Sequence, residues 1–356
     1  MRGNIGRAWG WLFRLTPYSL LLTPFLLAGC ARPPLYQQES FVFGTRVEVL
    51  IHGLPEAQAR AAAGEVLREF DRLHRMLHPW QPSEVTALNA ALARGEPAAV
   101  SPELAAVLID AQAIAAASDQ LFNPAIGKLV ALWGFHSDEF RPRLPDPQAV
   151  ARLAAARPAM ADLDVNGARV ASRNPAVQLD LGGYAKGYAL DRAADILRAH
   201  GVHNALINIG GNVMALGRKG DRPWRVGIQH PRGSAPLATL SLYDGEAIGT
   251  SGDYQRYFEL DGRRYSHLID PRSGRPAQGT QAVTVLITPR PRAGTLSDAT
   301  SKPLFIAGAD RWRDYARRLG VGHVLRVDAD GTLTLTRPML ARLSFAPDAP
   351  RPAVVD

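Results

Sequence analysis

Apolar positions along the chain change their spacing several times, and each spacing predicts an element. Phe41, Phe43 and Thr45 alternate with Val42, and Val47, Val49 and Ile51 continue the apolar positions, which predicts a first strand. After Pro55, Val66, Leu67, Phe70, Leu73 and Leu77 recur at three- and four-residue steps between Ala57 and Leu77, the stripe of a core-facing helix. Ser101-Pro102-Glu103-Leu104 reads as a cap followed by proline at the first helical position, opening a helix that runs to about Ser118. A third helix spans about Asp146 to Ala155.

From Val177 to Leu216 the pattern reads strand, glycine turn, helix, strand and a second glycine pair, with the helix over Tyr184–Ala199. Strands follow at Arg225–Ile228, Leu237–Leu242, Gln281–Ile287 and His323–Val327, with a helix at Arg311–Leu319. Helices and strands are interspersed without a regular βαβ alternation, so the fold class is α+β, with mixed sheets and packed helices in one two-lobed unit. No short internal repeat interrupts this order.

Composition adds a leader to that picture. The chain has 356 residues, 46% hydrophobic and 21% charged, which suits a folded protein with one large core or two modest ones. Arg2, Arg7 and Arg14 precede an apolar run from Leu20 to Leu27 that ends in Ala28-Gly29-Cys30. Residues 1–29 therefore read as a secretory signal, and the run is shorter than the roughly 20 residues of a spanning helix. Leu-Ala-Gly-Cys resembles a lipobox, and Cys30 is the single cysteine, so the expectation is a lipid-modified Cys30. Residues 30–40 then form a tether, 41–336 the catalytic body and 337–356 a tail. The implied location is the cell envelope, facing the periplasm and held to a membrane by lipid. The formal charge of +8 includes the three leader arginines, and no basic stripe interleaved with aromatics accompanies it, so no nucleic-acid partner is expected.

Candidate chemistry clusters in four segments. Asp180-Leu181-Gly182-Gly183 precedes Tyr184-Ala185-Lys186-Gly187: paired glycines admit a ligand close to the backbone, and a helix N-terminus offers free N–H groups to an anion. Lys186 in the first turn gains nothing from the helix dipole, which a bound anion would explain. A tight turn with a solvated lysine fits the same residues. Gly210-Gly211 forms a second pair at a strand end, before Asn212. Thr250-Ser251-Gly252-Asp253-Tyr254 supplies hydroxyls, and His267 stands in a polar break before Leu268-Ile269-Asp270-Pro271, as a structural residue or as a general base with a pKa near neutrality. Finally, Ser297-Asp298-Ala299-Thr300-Ser301-Lys302-Pro303 groups oxygen ligands of the kind Mg²⁺ prefers, or simply caps a helix.

In this order the segments resemble the ApbE family, the FAD:protein FMN transferases, from about Phe41 to Gly308. Supporting pieces are Phe43-Gly44-Thr45, Ser83-Glu84-Val85 with Leu88-Asn89, Phe122-Asn123-Pro124, and Leu132-Trp133-Gly134-Phe135. The resemblance implies a T-fold-related, two-lobed architecture and FAD as substrate. A Ser or Thr hydroxyl of an envelope electron-transfer protein would attack the FMN phosphorus while AMP leaves. It implies Mg²⁺ held by the main chain at Ala185, by Asp298 and by a threonine four residues later. It also implies His267 as the base, and Gly44, Thr45, Asp180, Gly183, Lys186, Gly210, Gly211, Thr250, Ser251 and Asp253 around FAD.

At the threonine position this chain has Lys302, whose ammonium donates only and cannot ligate a cation. Three accounts stand side by side: Ser301 or Thr300 supplies the oxygen, Lys302 replaces part of the metal's charge, or the site is impaired. Pro303 disfavours helical geometry at Lys302, so the sequence leaves open whether Asp298 and Lys302 share a helix face. An FAD pyrophosphatase and a non-catalytic FAD-binding lipoprotein are the alternative functions.

Overall fold

The first alternating segment does not run straight. In the computed structural model, which describes residues 34–356, Leu35–Val42 and Thr45–His52 are antiparallel strands joined by the two-residue turn Phe43-Gly44. Both turn residues are left-handed, with φ of 58° and 67°, the geometry whose twist matches a tight hairpin. Phe43 holds this conformation with its ring packed on Phe70 and His74. The single strand read from Phe41 is thus a hairpin, and residues 35–40, read as tether, are its first arm. The leader, Cys30 and residues 31–33 lie outside the described residues.

That hairpin starts a nine-stranded sheet among the described residues. The order across it follows the chain: Leu35–Val42, Thr45–His52, Ala205–Ile209, Asn212–Leu216, Ala247–Gly252, Thr280–Ile287, His323–Asp328, Leu333–Thr336 and Ala353–Val355. Neighbours pair antiparallel except the last two, which are parallel. Thr280–Ile287 is buried throughout, as a central strand covered on both faces must be. Its Val283, Val285 and Ile287 join the core under the helices, with Phe70 of Glu56–Leu77 and Ala193 of Ala185–Ala199. Its Ala282 and Leu286 join the opposite core, with Trp224 and Leu240 of the small sheet formed by Trp224–Gln229, Pro236–Leu242 and Leu343–Phe345. A third cluster packs Leu129, Trp133 and Phe258 behind Ile126, Phe135 and Ile269, which line a cavity.

Three further expectations change. Residues 337–356 are not a loose tail: Leu343–Phe345 pairs with Pro236–Leu242, and Ala353–Val355 adds the edge strand of the main sheet. Val177–Leu181 keeps the buried alternation of a strand, but its partners are irregular. Asn89 reads the main chain of Leu179 in both directions, at 2.7 and 2.9 Å, and Gln178 and Asp180 donate to the carbonyls of Ala125 and Pro124. The helix Ala293–Ile306 continues through Pro303. Pro303 removes the rung to the Ala299 carbonyl; one residue earlier, Ser301 Oγ and Lys302 Nζ both donate to the carbonyl of Asp298 at 2.8 Å.

Helices Ala185–Ala199 and Ala293–Ile306 meet at a glycine contact. A Cβ on Gly187 would stand 2.4 Å from the Gly294 carbonyl oxygen and 2.6 Å from Asp298 Cβ. Only a bare backbone allows that approach, and it delivers Asp298 to the start of the neighbouring helix. The described residues form one compact unit, and no helix among them is long and apolar enough to cross a membrane.

Candidate active site

Segments far apart in the chain converge on one cavity of about 1040 Å³. The hairpin turn brings Gly44 and Thr45, the Gly210-Gly211 turn lies against Thr45, and the end of Ala247–Gly252 brings Thr250 and Ser251. The loop before Ala185–Ala199 contributes Asp180 and Gly183, and the helix itself Ala185 and Lys186. His267 and Lys302 complete the set. Thus eleven of the residues implied from sequence line the same space: the eight between Gly44 and Gly211 named here, with Thr250, Ser251 and His267.

Three others do not. Asp253 is turned to Arg232, which it binds through two bonds of 2.8 and 2.7 Å. Asp298, 1% exposed, and Ser301 are buried behind the lining. The Ser301 hydroxyl donates to the Asp298 carbonyl and therefore accepts from Ser251 Oγ at 2.7 Å.

Positive charge dominates the cavity floor. Burial pushes the Lys186 ammonium down, with Asp298 opposing this and Lys302 and Arg256 adding to it. Burial also lowers Arg256, whose guanidinium donates to the Phe135 carbonyl at 2.7 Å and lies over the Trp80 and Phe140 rings. Burial alone would raise Asp298, but Lys302, Lys186 and the Gly187 amide hold it below the usual carboxylate range. Asp180 is similar: burial raises it, and the His136 contact at 3.0 Å with the Gly182 amide outweighs that.

His267 faces the cavity and is half-buried. Burial first, and the Arg256 charge second, push its pKa down to about 3. Its Nδ1 lies 3.2 Å from the Arg256 carbonyl. A carbonyl only accepts, so Nδ1 carries the hydrogen and Nε2 keeps its lone pair. The imidazole is neutral at physiological pH and held in the tautomer a base requires.

A magnesium ion does not fit the residues as they stand. Of the Asp298 carboxylate, Oδ2 accepts from the Gly187 amide at 2.9 Å and Oδ1 is held by Lys302 Nζ. The Ser301 hydroxyl, offered from sequence as a substitute ligand, is committed to Asp298 and Ser251. Lys302 and Asp298 share a helix face, the question that Pro303 left open in the sequence.

Arg256 and Trp80 escaped sequence reasoning, and so did the pairing of His136 with Asp180. Arg256 carried one local signal, its place two residues after Tyr254 in the hydroxyl-rich segment. Trp80 and His136 carried none, because their ring stack, with centroids 5.3 Å apart, joins two distant loops.

The chain matches the ApbE family over residues 43–325. It belongs to the ApbE family. The matched stretch opens at the hairpin turn and ends within His323–Asp328, so it contains every residue that lines the cavity except Phe41 and Val42. Among curated ApbE-like relatives, a Rhodobacter capsulatus protein named FAD:protein FMN transferase is 44% identical over 328 residues, which is 91% of this chain and 62% of that protein. The chain thus spans about three fifths of that relative's length. The crystal structure of the Thermotoga maritima ApbE protein superposes with a TM-score of 0.79 at 30% identity, covering 87% of this chain and 99% of that one. Pseudomonas stutzeri flavinyl transferase ApbE, in its apo form, gives 0.74 at 30% identity, covering 86% and 96%.

Proposed function

We infer that this chain is an FAD:protein FMN transferase, moving FMN from FAD to a hydroxyl of an acceptor protein. The observation that carries the reading is the pairing, in one cavity, of a neutral histidine with a fixed tautomer and a floor of buried cations. Phosphoryl transfer needs little more than positioning and charge neutralisation. The volume lies at the upper end for ligand sites, which suits a dinucleotide. The glycine turns at Gly44, Gly183 and Gly210-Gly211 let it lie against the backbone, with Thr45, Thr250 and Ser251 as hydroxyl partners.

The acceptor oxygen attacks the FMN phosphorus, the bond from that phosphorus to the bridging oxygen breaks, and AMP departs with the bridging oxygen. The acceptor proton passes to Nε2 of His267 and then to solvent. Anionic pyrophosphate beside Lys186, Lys302 and Arg256 neutralises charges that hold His267 down, so substrate binding itself raises the basicity of the ring. With Cys30 lipidated, the reaction takes place on the periplasmic side of the envelope, and electron-transfer proteins there are the acceptors.

Incubating the protein with FAD and an envelope acceptor bearing a Ser/Thr motif tests this. A covalently fluorescent acceptor band with stoichiometric AMP is expected. Free FMN and AMP in equal amounts would instead mark a pyrophosphatase, and unchanged FAD a binding protein.

A further inference from the structure

Asp298 is the carboxylate that the family resemblance assigns to magnesium, and in this chain it already carries a cation. Lys302 Nζ meets Asp298 Oδ1 and donates to the Asp298 carbonyl at 2.8 Å. Its side chain is 14% exposed and lines the cavity. The stem runs against Gly183, where an added Cβ would come within 3.2 Å of Lys302 Cε, so the ammonium is confined between the carboxylate and the cavity. Pro303 fixes the next turn of the helix, leaving Lys302 one turn beyond Asp298. Lys186 is a second ammonium acting on the same carboxylate. Two cations shared by one anion leave an excess positive charge directed at whatever fills the cavity. A divalent ion at this carboxylate would have to displace Lys302 and then face its charge at close range.

We propose that the Lys302 ammonium, held by Asp298, serves as the cation of this site in place of a divalent metal, so that the chain binds the FAD pyrophosphate and transfers FMN without magnesium. The proposal rests on the transferase reading above. Bonds made and broken are those already given; Lys302 donates its one remaining N–H to a pyrophosphate oxygen as charge moves to the leaving phosphate, and it transfers no proton.

The test compares wild type with Lys302→Thr and Lys302→Met, each first shown to unfold at a normal temperature. FAD titrations run in EDTA and again in excess Mg²⁺, and Mn²⁺ binding with FAD present is followed by electron paramagnetic resonance. Wild type is expected to bind FAD equally in both buffers, within about twofold, and to take up no Mn²⁺ at the site. A charge-assisted hydrogen bond supplies about 10–100-fold in affinity, so both variants should lose that much in EDTA. Magnesium should restore Lys302→Thr, which gains a ligand oxygen, and not Lys302→Met. Wild-type FAD binding that collapses in EDTA and returns with Mg²⁺, or Mn²⁺ bound as tightly by wild type as by Lys302→Thr, overturns the proposal while leaving the transferase reading intact. Wild type that binds no FAD in either buffer overturns both.

Discussion

At the scale of residues, His267 has the most definite consequences. His267→Ala should leave FAD affinity nearly unchanged and slow transfer about 10²–10⁴-fold, the usual contribution of a general base; stopped-flow AMP release resolves the two effects. Its folded pKa of about 3 lies below the ordinary histidine value, so between those two values the unfolded chain binds the extra proton. Stability from this group is therefore complete above about pH 6.5 and falls as pH drops toward 3, by up to about 1.4 kcal/mol per pH unit. Urea midpoints for wild type and His267→Gln across pH 4–7 should diverge in that sense. In the free enzyme kcat/KM should show no titration near pH 6.5 from this ring. The sequence disclosed His267, Lys186 and the glycine pairs because each stands in a local pattern with its own chemistry. Arg256 and the His136 contact with Asp180 were not legible, since tertiary folding alone brings those residues together.

At the scale of elements, local rules succeeded where packing agreed with them. The stripe of Val66, Phe70 and Leu73 predicted its helix because all three side chains are buried on one face. Pro303 shows the opposite case: it disfavours helical geometry at the residue preceding it, yet the helix continues, with Leu304 and Phe305 beyond it fully buried. The glycine contact between Ala185–Ala199 and Ala293–Ile306 was likewise invisible as a pair, because neither glycine breaks its own helix. Gly187→Ala should clash with the Gly294 carbonyl and Asp298 Cβ, destabilising the fold by about 1–3 kcal/mol in urea unfolding. It should also impair FAD binding, because Asp298 and its bound Lys302 would be pushed from the cavity floor. A Gly64→Ala control, facing only the far end of Arg68 at 3.5 Å, should leave FAD binding unchanged and, as an alanine in a helix interior, stabilise the fold by about 0.5–1 kcal/mol.

For the whole molecule, the sequence marked an α+β body correctly and placed its edges less well. Polar residues at 37–40 resembled a linker because an edge strand exposes one face; the C-terminal segment was short and proline-rich, and its pairing partners lie far back in the chain. The early start of the first strand has a geometric consequence for catalysis. If Cys30 carries lipid, Leu35 is five residues along, which gives a leash of at most about 17 Å. The strand Leu35–Val42 then runs about 24 Å to the hairpin at the cavity rim. The hairpin end of the cavity is thereby confined to a shell within roughly 40 Å of the bilayer surface, adding those two lengths. Inserting about 20 flexible residues after Ala31 should leave transfer to a soluble acceptor fragment unchanged, while altering the rate on a membrane-held acceptor in proteoliposomes; equal rates on both would show that the leash has no role. Cys30→Ser should free the enzyme from the membrane fraction and slow only the membrane-held reaction. An acceptor whose hydroxyl stands farther out than that shell would have to bend toward the bilayer to be modified, so the leash would select substrates by height as well as by sequence.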